Sequence, residues 1–136
     1  MISWEDAANE ARKEFRTGVA TPNSIPTQYD NQGDFTKPSG KGWYRCSVEM
    51  GEDFQASLGS NPRFRNLGML IVQVFIPESE GDAECLRLAN LVRAHFRRLN
   101  TANLSFYVPR LIPVGLRGGE YQRNVQCPFD YEDFNT

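Results

Sequence analysis

The sequence contains few of the residues from which metal sites and nucleophilic catalytic sites are built. Its 136 residues include one histidine and three cysteines, and Cys46, Cys85 and Cys127 lie far apart without a Cys-x-x-Cys pair. This scatter lacks the close spacing of zinc ligands, and isolated thiols of this kind are usually buried as small hydrophobic side chains. We therefore expect no metal site, no cofactor and no disulfide framework.

The single histidine does not form a catalytic pair with the cysteine on its own predicted helix. His95 follows Cys85 by ten residues, which places it about 80° around the helix and several turns away. A pair between His95 and Cys46 or Cys127 stays geometrically open. Because no catalytic constellation is visible, we expect that the protein is not an enzyme. A small enzyme with an unrecognised site is the alternative.

A long apolar run and an excess of basic charge are also missing. No apolar stretch reaches the roughly 18 residues that a membrane-spanning helix requires. The first residues, MISWEDAANE, are acidic and helical in pattern, unlike a signal peptide. The formal net charge of −2 opposes a dedicated nucleic-acid-binding module. We expect no membrane association, and synthesis in the cytoplasm of the producing cell.

Four arginines crowd one predicted helix and keep a partner-binding role open. They are Arg87, Arg93, Arg97 and Arg98. The simpler interpretation is a solvated helix face with favourable charge near the helix C-terminus. The alternatives are a surface that faces a protein partner and, against the charge balance, a surface that binds nucleic acid.

What the sequence does contain is the pattern of a single α+β domain, residues 1–136. Two domains would leave neither half with a sufficient core. The stretch RFRNLGMLIVQVFIP, residues 63–77, is apolar on both faces of an extended strand. Such a strand is usually central in its sheet and must be covered on both sides, by helices above and by another surface below. We predict two helices packed on a mixed, mostly antiparallel β-sheet.

Both helices have recognisable N-terminal signals and an apolar stripe. Ser3 can cap the first helix with Asp6 three residues later, and Gly18 supplies its stop. Asp82 is the candidate N-cap of the second helix, which runs to about Leu99. The first stripe consists of Trp4, Ala8, Ala11 and Phe15. The second consists of Cys85, Leu88, Ala89, Val92, Phe96 and Leu99.

Shorter strands are predicted before the central one. Residues 24–30 can form a short strand, residues 43–50 alternate as a half-buried strand, and residues 51–63 can continue it. Between them, residues 31–41 form a loop whose length suggests a role in binding or motion.

The last third of the sequence predicts a β-hairpin around Gly118-Gly119. Pairing outward from this turn gives the opposed pairs Arg117–Glu120, Leu116–Tyr121, Val114–Arg123 and Ile112–Val125. Pro113 lacks an amide donor, so its strand should be an edge or carry a bulge. One face of the second strand then presents Glu120, Gln122, Asn124 and Gln126. This amide-rich face has no visible core role and is a candidate inter-subunit or lumen surface.

Several of these features, in this order along the chain, resemble the tail terminator (tail completion) proteins of long-tailed bacteriophages. The central strand opens with Arg-x-Arg-x-x-Gly and continues as hydrophobic-Gln-hydrophobic-Phe-hydrophobic-Pro, and an acidic turn with a glycine leads into a helix. The resemblance extends upstream to Tyr-Asp-Asn at 29–31 and Trp-Tyr-Arg-Cys-Ser-Val at 43–48, and downstream to Gly-Gly-Glu-Tyr-Gln at 118–122 and Pro-Phe at 128–129.

The resemblance implies a structural protein of the virion. Tail terminators assemble as hexameric rings that cap the tail tube, halt its growth and present a surface for head docking. The implied partners are further copies of the chain, the tail tube protein and a head-completion or neck protein, and DNA passes through the lumen without specific binding. The implied location is the head–tail junction of the virion, after assembly in the host cytoplasm. A head–tail connector of the same virion is the nearest alternative.

Two further charged segments carry expectations, the start of the central strand and the C-terminus. Arg63 and Arg65 alternate with Phe64 and should point to the same side of the strand. We expect them to pair with carboxylates, on a neighbouring subunit if the chain forms a ring, and an intrachain pair or plain solvation is the alternative. At the C-terminus we expect the last strand to end at Tyr131 and residues 132–136 to be mobile. Their acidic groups either keep the terminus solvated or repel DNA phosphates near a lumen.

Overall fold

The computed structural model describes residues 2–30, 33, 35–60, 62–78 and 81–134. Its elements are α1 (Trp4–Phe15), a π-helical turn (Arg16–Ala20), β1 (Thr27–Tyr29), β2 (Trp43–Gln55), β3 (Arg63–Pro77), α2 (Asp82–Phe96), β4 (Ser105–Phe106), β5 (Arg110–Arg117) and β6 (Glu120–Phe134). The predicted α+β class, with two α-helices on a mixed sheet, is confirmed.

The strand predicted to be central lies in the middle of the sheet. β3 pairs antiparallel with β2 on one side and with β6 on the other, in the order β1-β2-β3-β6-β4, and β5 also pairs with β6. The pairing of β1 with β2 is parallel. β3 and β6 stay in register from Arg63 opposite Phe134 to Pro77 opposite Glu120. This register fixes which β6 side chains share a face with each β3 residue.

Both helices pack on the same face of the sheet. The core on that face joins Phe15 of α1, Val92 and Phe96 of α2 and Leu70 of β3. The expectation that β3 would be covered on both faces is therefore met only in part. On the face away from the helices Leu67 is 39% exposed, because neither helix crosses to that side.

Helix α1 begins as predicted but continues past Gly18. The Ser3 hydroxyl accepts a hydrogen bond from the Asp6 amide at 3.0 Å, and this bond caps the first turn. After Phe15 the chain continues through the π-helical turn to Ala20. A Cβ atom at residue 18 would overlap the ring of His95. The glycine thus permits close packing of this turn against α2 instead of ending the helix.

The buried stripe of α1 differs from the predicted one at its first position. Trp4 is 61% exposed, whereas Ala7 is fully buried beside Ala11. The indole N–H of Trp4 donates to the Asp53 carboxylate at 3.3 Å. Small alanines, instead of the indole, therefore bring α1 close to the sheet.

Helix α2 begins and ends slightly differently from the prediction. Its N-cap is Gly81, at φ +85°, and Asp82 lies in the first turn, where its carboxylate accepts from Arg123 at 2.7 Å. The helix ends at Phe96 because the next residue is extended, so Leu99 lies beyond it. The predicted apolar face is otherwise confirmed.

The β5–β6 hairpin has the predicted register only next to its turn. Leu116 is opposite Tyr121, as expected. A bulge between Pro113 and Gly115 then shifts the pairing and places Ile112 opposite Asn124. The predicted pairs Val114–Arg123 and Ile112–Val125 are therefore wrong. The expectation of an edge strand or a bulge at the proline is confirmed, since β5 is an edge strand and carries the bulge.

The remaining strands are close to their predicted positions. β1 lies within the predicted residues 24–30, and β2 continues beyond Met50 to Gln55. β6 continues to Phe134, three residues beyond the predicted end at Tyr131, because β3 offers pairing partners as far as Arg63. Of the predicted loop, residues 31, 32 and 34 lie outside the described part, and residues 35–41 form neither helix nor strand. Residues 135 and 136 also lie outside it.

Replacing Gly68 with alanine tests the packing of β3 against β6. A Cβ atom at this position would overlap the ring of Phe129, which is almost fully buried. We expect Gly68→Ala to lower the free energy of unfolding by about 1–3 kcal/mol, measured by urea and thermal denaturation. Gly33→Ala is the control, because its Cβ would meet nothing within 4 Å. Equal stability of the two variants would contradict the packing described here.

Candidate functional site

The surface of the sheet that faces away from both helices is packed against neither of them, and we call it the outer face. Alternation along each strand and the register between strands determine its members. Its central residues are Trp43, Arg45, Ser47 and Glu49 of β2, Leu67, Met69, Ile71, Gln73 and Phe75 of β3, and Gln122, Asn124, Gln126, Pro128 and Asp130 of β6.

The outer face divides into an amide half and an apolar half. Gln73 lies opposite Asn124, and Ile71 lies opposite Gln126. Toward the other end, Met69 lies opposite Pro128, and Leu67 is among the exposed apolar side chains. The sequence pattern assigns the β6 amides to a surface but does not assign Gln73 to the same surface. Gln73 is the one amide in the otherwise apolar second half of β3, and this polar residue could have indicated its place on the outer face.

A segment of the predicted loop covers one end of the outer face. Phe35 packs on Trp43 with ring centroids 5.4 Å apart, and Trp43 stacks on Phe75 at 4.3 Å. The guanidinium of Arg45 lies 5.6 Å from the Trp43 ring centroid and 5.3 Å from that of Phe75, within the range of cation–π attraction. This aromatic cluster explains why Trp43 and Phe75 are buried although they lie on the outer face.

Glu120 belongs to this cluster instead of being free on a polar surface. Its carboxylate accepts from the indole N–H of Trp43 at 2.7 Å and forms an ion pair with Lys37 at 2.8 Å. The interpretation that the whole amide-rich face has no internal use is therefore wrong for this residue. The contact spans 77 positions between Trp43 and Glu120, so no local sequence pattern indicates it.

The three amides of β6 differ in their accessibility. Gln122 is only 6% exposed, and its amide donates to the Asn124 side chain at 2.9 Å. Asn124 and Gln126 are half-buried. Among these three amides, Gln126 is the one whose side chain forms no hydrogen bond within the described part of the chain. Contact of any of these residues with a neighbouring subunit stays a prediction.

The two arginines at the start of β3 pair with carboxylates of β6 in the same chain. Arg63 lies 3.4 Å from Glu132, and Arg65 donates to Asp130 at 2.6 Å and to the Tyr107 hydroxyl at 3.0 Å. Tyr107 in turn donates to Asp130. The hydrogen bonds from Arg65 to Asp130 and Tyr107 raise the pKa of the Arg65 guanidinium above its ordinary value. The carboxylate pairs seen are thus the intrachain ones given as the alternative, and a pair with a neighbouring subunit stays a prediction.

The thiols lie in surroundings that disfavour nucleophilic chemistry. All three cysteines are buried, and none forms a disulfide: Cys46, Cys85 and Cys127. Burial raises the pKa of the Cys46 thiol to about 12 and that of Cys85 to about 11, and it also raises the pKa of Cys127. A thiol must ionise to act as a nucleophile, so these three side chains fill space in the core.

His95 has a structural partner on α1. Its Nε2 lies 2.8 Å from the carboxylate of Glu14, and its ring packs edge-on against Phe96. Within the described ranges, no group of three or more His, Cys, Asp or Glu side chains is arranged to hold a metal ion. Neither described helix combines the length and apolar character needed to cross a membrane.

Comparison with known families decides which kind of protein has this architecture. The sequence model of the phage tail terminator protein family matches residues 7–128, which include α1 from Ala7 onward, all of α2 and all of the sheet except the end of β6. The chain belongs to the phage tail terminator family. It is thus a structural protein of the virion tail, and the family favours this role over that of an enzyme. Members interact with other tail or head proteins.

Comparison with solved structures supports the fold alone. One structure with 18% sequence identity aligns with a TM-score of 0.65 and covers 96% of this chain and 94% of its own. A comparison with curated proteins finds none that matches the sequence. The family assignment therefore depends on the match over residues 7–128.

Alkylation of the thiols tests their burial in the tail terminator fold. We expect the native protein to gain no iodoacetamide adduct at about pH 8, because burial and the raised pKa keep the thiols protonated and inaccessible. The unfolded protein should gain three adducts, one for each cysteine. Intact-mass spectrometry gives both counts. Rapid labelling of Cys46 in the native protein would contradict the described core.

Proposed function

We propose that this protein caps the phage tail tube as a hexameric ring, ends tube polymerisation and provides the surface on which the head docks. The observation that carries the proposal is the outer face: one complete side of the sheet is left without a helix. Its mixture of half-buried apolar and amide side chains matches the composition of wet subunit interfaces. Family membership supplies the context of tail assembly.

A ring requires that each subunit contact its neighbour through two different surfaces. Such heterologous contacts close into a cyclic assembly when the rotation between subunits allows it. The outer face and the edge strand β5 are two surfaces that differ in composition and orientation. Two such surfaces on one chain support a head-to-tail arrangement over an isologous dimer.

The candidate interface residues have different roles within this proposal. Gln126 and Asn124 offer amide groups toward a neighbour or a lumen. Arg63 and Glu132 form an ion pair in which both side chains are more than 40% exposed, so either partner can exchange to a neighbouring subunit at small cost. Arg65, which is tied to Asp130 and Tyr107, instead fixes the end of β3 against β6.

The lumen is proposed to let DNA pass without specific binding. The central part of the outer face carries isolated charges, such as Arg45 and Glu49 of β2, instead of a basic patch, and Arg65 is paired with Asp130. A surface of this kind does not provide the positive field that phosphate binding requires. The proposed partners are the tail tube protein on one side of the ring and a head-completion or neck protein on the other. Assembly takes place in the host cytoplasm.

Deletion of the gene from a phage that encodes it tests the function directly. We expect tail tubes that exceed the normal length and lack attached heads, because nothing stops addition of tube subunits. Supplying the protein in trans should restore tails of normal length, and mass measurement of isolated tails should give one hexamer for each tail. Normal tail length and head attachment in the deletion strain would contradict the proposal. So would a monomer or dimer on the tails themselves.

A charge placed at Gln126 tests whether the outer face is used in the ring. We expect Gln126→Lys to reduce ring assembly, because each subunit would bring a desolvated, unpaired cation to its neighbour. Thermal unfolding of the monomer should change little, since the side chain is only half-buried in the single chain. Asn9→Lys, on the exposed side of α1, is the control. Equal assembly of both variants, measured by native mass spectrometry, would exclude this position from the interface.

A further inference from the structure

A groove with an apolar floor runs between α2 and the edge strand β5. Its volume is about 420 Å³, and it is lined by Leu86, Ala89, Asn90, Arg93, Pro109, Arg110, Leu111 and Val125. Leu86 is 40% exposed and Leu111 is 43% exposed. Large apolar side chains on two elements thus face the same open groove, which makes it a candidate contact surface.

Two arginines give the groove a positive rim. Arg93 of α2 and Arg110 of β5 both line it, and no acidic side chain is among its lining residues. The described residues give neither arginine an ion pair. An occupant that suits this groove therefore has an apolar side chain for the floor and a negative charge for the rim.

The end of β2 and the turn that follows it have this composition, and we call residues 51–60 the arm. Leu58, near its tip, is 93% exposed, and Phe54 is 47% exposed. Glu52 and Asp53 are the only charged side chains of the arm, and both are acidic. The arm thus combines exposed apolar side chains with the charge opposite to that of the groove.

The arm is held in shape before it meets any partner. The amide of Ala56 donates to the Arg63 carbonyl at 2.6 Å, and the Arg63 amide donates to the Ser57 hydroxyl at 2.7 Å. The side-chain amide of Gln55 also donates to the Ser57 carbonyl at 2.8 Å, which further closes the turn. A preorganised turn loses little conformational entropy on binding, so the exposed Leu58 can dock without the arm having to fold first.

We infer that the arm of one copy docks in the groove of the next copy, with Leu58 on the apolar floor and Glu52 near Arg93 and Arg110. The inference depends on the proposed ring and specifies how its subunits join. Each chain carries one arm and one groove, at different places on the sheet. The contact is therefore heterologous, and repeating it around a ring gives every arm a groove and leaves none empty.

Cysteine cross-linking tests the contact in the full-length protein. The pair Leu58→Cys and Leu111→Cys in one chain should form intermolecular disulfides under mild oxidation in assembled rings and on tails. The native cysteines are buried and do not interfere. We expect a ladder of linked chains that ends at the hexamer. The control pair Leu58→Cys and Asn9→Cys places the second thiol on α1, away from the groove, and should remain unlinked.

Charge reversal provides an independent test that uses assembly as its readout. Arg93→Glu with Arg110→Glu should raise the concentration needed for half-assembly by about tenfold, because the acidic arm is then repelled. Adding Glu52→Arg should restore much of the loss. Ser60→Arg, which puts the same charge on the arm two residues beyond Leu58, is the matched control and should restore less.

The outcomes separate this contact from the proposed ring. The arm-in-groove contact would be overturned if hexameric rings formed without Leu58–Leu111 cross-links and if Glu52→Arg gave no rescue. The proposed ring would then still stand. Cross-links that stop at a dimer would show a reciprocal exchange and overturn the cyclic arrangement of arms. Absence of a ring on tails would contradict the proposed function, and this inference with it.

Discussion

The antiparallel pairing of β3 with β6 is the constraint on which the rest of the structure depends. The two strands stay in register along their full length, from Arg63 opposite Phe134 to Pro77 opposite Glu120. Because side chains alternate with a period of two, this single register assigns every β6 residue to the helix side or the outer side. It buries Val125 and Phe129 under the helices and directs the amides to the opposite face.

Only one face of the sheet is covered by helices. Both α1 and α2 contribute to a single core on one face of β3. On the other face, the loop packs Phe35 on Trp43 and covers only one end. The strand's second apolar face is thus left half-covered in the single chain, where its burial would be favourable. Members of the phage tail terminator family interact with other tail or head proteins, and such proteins are a natural source of that covering.

Much of the fold could be predicted because the relevant signals are local. The period of the apolar residues identified both helices and β3, and Ser3 identified the start of α1. The Gly118-Gly119 turn fixed the adjoining pairs of the hairpin. Pro113 signalled a bulge or an edge but not which residue the bulge would leave unpaired, so the register beyond it was predicted wrongly. A bulge is decided by how both strands fit the sheet, not by one residue.

By itself the sequence determined both α-helices and the longer strands, the central position of β3 and the presence of an amide-rich strand face, but neither the π-helical turn nor β4. Only the tertiary structure decided what those amides and charges contact. Glu120 meets Trp43 across 77 positions, and Arg65 meets Asp130 across 65. Pattern and propensity act over one or a few turns, whereas these partners are selected by sheet order and register. The pairing of distant strands, not the local sequence, therefore separates the residues that hold the chain together from those left accessible on the outer face.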